Sequence, residues 1–73
     1  MDINENIKWL KRCRKSLINA RFKVTMSREV LLKMKPFYRT IYYETCETED
    51  MLDTLKDDLT AIIDKLIAER DGE

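Results

Sequence analysis

The sequence predicts an all-α fold, a three-helix antiparallel bundle whose second helix is expected to break at Pro36. The 73 residues include one glycine and one proline, and their scarcity favours long helices with short connections. Apolar residues recur at helical spacing in three segments of the chain. No internal repeat or linker-like stretch divides the sequence, so residues 1–73 are predicted to form one helical domain.

The first helix is predicted from Ile3 to about Phe22. Asp2 is placed to cap it, and Glu5 follows at the spacing of a capping box. One face is apolar and carries Ile3, Ile7, Leu10, Cys13, Leu17 and Ala20. Arg14 and Arg21 project close to that face, which is unusual for charged side chains.

The second helix is predicted to start after Ser27, a suitable N-cap, with Glu29 in its first turn. Its apolar positions follow the spacing 4, 3, 4 and are Val30, Met34, Phe37 and Ile41. Pro36 interrupts this pattern and implies a kink near Leu32–Lys35, or two helices with Pro36 in the first turn of the later one.

The third helix is predicted from about Glu49 to Arg70, with Thr45 or Thr48 as its cap. Its apolar positions follow the spacing 3, 4, 3, 4 and are Leu52, Leu55, Leu59, Ile62 and Leu66. Because the second helix is apolar around much of its circumference, the bundle is expected to associate as a homodimer through the second and third helices.

An α+β fold with a short hairpin is the alternative to the bundle. Residues 22–26 and 40–45 are rich in β-branched and aromatic side chains, so they are candidates for two paired strands.

The net charge of zero conceals two halves of opposite charge. Residues 1–39 hold eleven basic and three acidic side chains, a net charge of +8, and residues 40–73 hold three basic and eleven acidic ones, a net charge of −8. Such asymmetry indicates charged partners, unless the two halves neutralise each other when the helices pack.

The composition argues against an enzyme and predicts no catalytic, cofactor-binding or metal-binding residue. Histidine is absent and the only glycine is Gly72, so the commonest general base and a glycine-rich phosphate loop are both missing. Cys13 and Cys46 are expected to be free thiols, too few for a thiolate zinc site. The acidic start of the chain and the absence of a long apolar run predict a cytoplasmic protein without a membrane partner.

The predicted function is therefore that of a small protein-binding regulator, inhibitor or adaptor that occupies a surface of a larger protein. Proteins of this size and composition are common among phage and mobile-element products, which is an analogy of class and not of motif. Aromatic side chains and an acidic helix flank are the predicted contacts, because aromatics are enriched at binding hot spots. These partner-binding residues are Tyr38, Tyr42, Tyr43, Asp50, Asp53 and Asp57.

Nucleic-acid binding through the first helix is the alternative function. Its basic side chains at positions i, i+3, i+4 and i+7 share one face and are Lys8, Lys11, Arg12 and Lys15. Such a stripe attracts phosphates without reading sequence.

Overall fold

Two long helices form the structure, a computed structural model that describes residues 2–34 and 39–72. Helix α1 spans Ile3–Leu31 and helix α2 spans Arg39–Arg70. They pack against each other as an antiparallel hairpin measuring 56 × 15 × 14 Å. The Cα radius of gyration is 16.7 Å, whereas a compact domain of this length has one of about 11 Å. The chain is therefore a rod and not a globule.

The predicted three-helix bundle is wrong, because the first two predicted boundaries do not exist. Helix α1 runs on through Ser27, whose hydroxyl donates to the Lys23 carbonyl one turn back at 2.9 Å. Ser27 thus satisfies its hydroxyl inside a helix and does not cap a new one. The segment before it contains no glycine or proline to stop α1.

The predicted start of the third helix is also wrong, since α2 begins ten residues before Glu49, at Arg39. Thr45 and Thr48 lie inside α2 and donate to the carbonyls of Tyr42 at 2.6 Å and Glu44 at 2.9 Å. The α+β alternative fails for the same reason, because residues 22–26 and 40–45 are both helical and the described residues contain no strand.

The helix ends follow the predicted capping chemistry more closely. Asp2 is the N-cap of α1, and its carboxylate accepts from the Glu5 backbone N–H at 2.8 Å. Helix α2 ends at Arg70, as predicted, and Gly72 follows with a φ of 79°. Glycine suits this left-handed position because it has no Cβ to clash. Pro36, with its predicted break, lies outside the described residues.

The hairpin buries few apolar side chains. Among the described residues, only Ile7 and Ile63 form a fully buried apolar core. Twelve large apolar side chains of the described residues are exposed, ten of them on the two helices, among them Trp9, Phe22, Met26, Tyr43, Met51 and Leu55. Burial of apolar surface is the main force that drives folding. Two helices packed in this way leave much of their apolar surface exposed to water.

Candidate protein-binding surfaces

A polar ladder holds the two helices together. The arginines of α1 at positions 14, 21 and 28 recur every seven residues, so they project from one side of the helix toward α2. Arg14 donates to the Thr60 hydroxyl at 3.2 Å, and Arg21 donates to the Asp53 carboxylate at 2.8 Å. The unusual position of Arg14 and Arg21 near the apolar face is thus explained by their partners on α2.

Glu49 is the centre of this ladder and is only 4% exposed. Its carboxylate pairs with Arg28, lies 3.6 Å from Arg21 and accepts a 2.5 Å hydrogen bond from the Thr25 hydroxyl. A buried charge is tolerated only when it is paired and hydrogen-bonded, and three partners from α1 meet that condition. Sequence reasoning assigned Glu49 to a helix start, and the seven-residue spacing of the arginines is the signal that would have revealed its role.

The predicted tyrosine sites are divided by the structure. Tyr42 is half-buried, packs edge-to-face on Tyr43 at 5.8 Å between ring centroids and has the Arg28 guanidinium 5.8 Å from its ring. Tyr43 points outward and is 61% exposed. Tyr38 lies outside the described residues. Tyr43 is therefore the predicted aromatic contact that is free to meet another molecule.

The predicted acidic sites divide in the same way. Asp53 is half-buried and paired with Arg21, so it belongs to the polar ladder. Asp50 and Asp57 are exposed, and among the described residues Asp57 pairs only with Lys56 of its own helix, at 4.0 Å. Tyr43, Asp50 and Asp57 recur every seven residues and so share the outer side of α2. We refer to these three residues as the acidic stripe.

The predicted basic residues of α1 are all exposed. Lys8, Lys11, Arg12 and Lys15 form no ion pair among residues 2–34 and 39–72. Arg12 lies over the ring of Trp9, 4.8 Å from its centroid, and half of Trp9 is exposed. The two halves of the chain therefore pair with each other through Arg21 and Arg28, while Lys8, Lys11, Arg12 and Lys15 remain in solvent.

A third surface follows the strongest apolar repeat of the sequence along one flank of α2. We call this surface the leucine seam. Its members follow the spacing 4, 3, 4, 3, 4, 3, 4 and are Ile41, Thr45, Thr48, Leu52, Leu55, Leu59, Ile62 and Leu66. Every second member is exposed, namely Thr48 and three apolar residues, Ile41 by 45%, Leu55 by 50% and Ile62 by 47%. The other members are half-buried against α1, and a shallow groove brings Thr45 and Thr48 together with Val24.

Both cysteines are free. Cys13 is exposed on α1, and Cys46 is half-buried on α2 with its Sγ 3.6 Å from the Arg28 guanidinium. Within residues 2–34 and 39–72, no group of three or more acidic or cysteine side chains is arranged to hold a metal ion. In the same residues, neither helix combines the length and the apolarity that a bilayer crossing requires.

Comparison with protein-family models, with curated proteins and with solved structures gives no significant match to this chain.

Proposed function

We propose that this chain is a non-enzymatic protein-binding regulator or adaptor that docks on a basic surface of a larger protein through the acidic stripe of α2. The observation that carries this proposal is the division of the acidic side chains. Asp53 and Glu49 form ion pairs with the arginines of α1, whereas Asp50 and Asp57 are exposed on the same side of α2 as the exposed Tyr43.

The chemistry of the stripe favours an electropositive partner. An exposed tyrosine supplies apolar contact area and a hydroxyl, and such residues are frequent hot spots of protein interfaces. Two exposed carboxylates one heptad apart, about 10 Å along the helix, steer a partner of opposite charge. The reducing cytoplasm is the compartment we propose, since both cysteines are free.

Affinity capture from cells that carry the gene tests the proposal. The wild-type chain is expected to retain a specific protein whose binding weakens as salt is raised. Asp57→Lys is expected to lose that protein, and Glu29→Lys is the matched control, because it makes the same charge change at an exposed site of α1. Equal capture by the wild-type chain and Asp57→Lys would contradict the proposal.

Nucleic-acid binding is the second candidate, and the exposure of Lys8, Lys11, Arg12 and Lys15 favours it. Four phosphate contacts predict a slope of about −4 when the logarithm of duplex affinity is plotted against that of salt concentration. Lys11→Ala is expected to reduce this slope by about one. Failure to bind random DNA or RNA at low salt would exclude this candidate and leave the first one untouched.

A further inference from the structure

We infer that a second copy of this chain covers the leucine seam, with the two α2 helices antiparallel. This inference does not rest on the proposed function, because the acidic stripe lies on another side of α2. Its starting point is that α1 covers only half of the strongest apolar repeat of the chain. The side of α2 toward α1 carries Glu49, Asp53 and Thr60 in addition to Ile63, whereas the seam beside it carries no charge at all.

The spacing of the seam fits a helix as its partner. Its alternating three- and four-residue steps are the a and d positions of a heptad repeat, which keep one side of a helix in contact with a neighbouring helix. Helix α1 covers half of the seam, since Leu52, Leu59 and Leu66 are half-buried while Leu55 and Ile62 are about half exposed. Another helix with matching apolar positions would cover the exposed half.

The seam can supply that partner by pairing with itself. In an antiparallel pair, the a positions of one helix face the d positions of the other. Here the a positions are Thr45, Leu52, Leu59 and Leu66, and the d positions are Ile41, Thr48, Leu55 and Ile62. Two residues face each other when their numbers sum to 107. Leu52 then faces Leu55 of the second copy, Leu66 faces Ile41, and Leu59 faces Thr48, so that each exposed member meets a half-buried one. A two-fold axis midway along the seam generates all of these contacts with one surface, as in most homodimers.

The charges beside the seam select the antiparallel orientation. Residues one position before each a position flank the seam on its solvent side and are Glu44, Met51, Asp58 and Lys65, all of them exposed. In the antiparallel pair Glu44 lies opposite Lys65 of the second copy, and the two-fold axis repeats this attraction. A parallel pair would instead oppose Lys65 to Arg70, a like-charge contact, and would set Glu44 opposite Glu49, whose carboxylate is already paired within the hairpin.

Sedimentation equilibrium of the purified chain tests this geometry. The substitutions reverse exposed charges that form no ion pair between the described parts of α1 and α2. The wild-type chain is expected to have twice the chain mass of 8.8 kDa. Glu44→Lys and Lys65→Glu are each expected to raise the dimer dissociation constant about tenfold, since each replaces two attractions by two repulsions. The double variant is expected to return the constant to within about threefold of wild type. Asp57→Lys, on the far side of α2, is the control and is expected to dimerise like wild type.

Several outcomes would overturn the inference. A chain that stays at 8.8 kDa up to hundreds of micromolar has no self-pairing seam. Tighter dimers from both single reversals would indicate the parallel orientation, and unchanged dimers from both would place the interface elsewhere. Circular dichroism of each variant checks that the helices remain formed. Loss of partner capture by Asp57→Lys with an intact dimer separates this test from that of the proposed function.

Discussion

Glu49 is the only buried charged residue among those that the structure describes. Its buried carboxylate is shared by Arg28, Arg21 and Thr25, so its removal leaves two guanidinium groups and a hydroxyl without their acceptor. Breaking a buried ion pair by deleting one partner costs about 3–5 kcal/mol. Because Arg21 is 42% exposed and recovers some hydration, we expect Glu49→Ala to lower the free energy of unfolding by about 3 kcal/mol.

Urea unfolding at one fixed protein concentration measures this loss. Glu47→Ala is the matched control, since Glu47 is exposed on the same helix, and it is expected to change the unfolding free energy by less than about 0.5 kcal/mol. Equal effects of the two substitutions would show that the Glu49 carboxylate is not the shared acceptor.

Asp2 stabilises the start of α1 through a single hydrogen bond to the Glu5 backbone N–H. Asp2→Ala removes the acceptor and is expected to cost about 1 kcal/mol of unfolding free energy. Asp2→Ser keeps a capping oxygen and should stay close to wild type in the same urea titration. A serine variant as unstable as the alanine variant would mean that this cap contributes nothing to stability.

At the scale of elements, the continuity of α1 across residues 22–27 separates the hairpin from a bundle. Lys23 is exposed and lies in mid-helix, whereas the three-helix prediction placed it in a turn. We expect Lys23→Gly to be about 1 kcal/mol less stable than Lys23→Ala, because glycine in a helix interior loses more backbone freedom on folding. Equal stability of the two variants in urea unfolding would indicate that this segment is a turn and not part of a continuous helix.

The sequence was sufficient to predict helical class, the cap at Asp2 and the end of α2 at Arg70. It was not sufficient to predict helix number, because serine and threonine serve equally well as caps and as hydroxyls that bond one turn back. Ser27, Thr45 and Thr48 do the latter. For the sites, exposure of the basic residues followed from helical spacing alone. The role of Asp53 did not, since it depends on where Arg21 lies across the hairpin.

At the scale of the whole molecule, paired charges lie between the two helices, whereas exposed apolar side chains lie outside that contact. The +8 and −8 halves of the chain meet where α1 faces α2, through Arg21 and Arg28 with Glu49 and Asp53. Twelve large apolar side chains of the described residues are exposed outside that contact, and three of them, Ile41, Leu55 and Ile62, line the uncharged leucine seam. The polar ladder therefore specifies how the two helices align, while the exposed half of the seam leaves apolar surface available for association.

This division predicts that folding is coupled to association. Because the exposed half of the seam is buried only in the proposed dimer, the melting temperature Tm is expected to rise with protein concentration by mass action. A hundredfold increase in concentration contributes about 2.7 kcal/mol per dimer, which corresponds to a rise in Tm of about 10 °C for two chains of this length. Reversible thermal scans at about 2 and about 200 micromolar chain, followed by circular dichroism, measure this shift. Leu55→Asp places a charge at the centre of the seam, so its Tm is expected to be lower and the same at both concentrations. A wild-type Tm as insensitive to concentration as that of Leu55→Asp would show that the hairpin folds without a second copy.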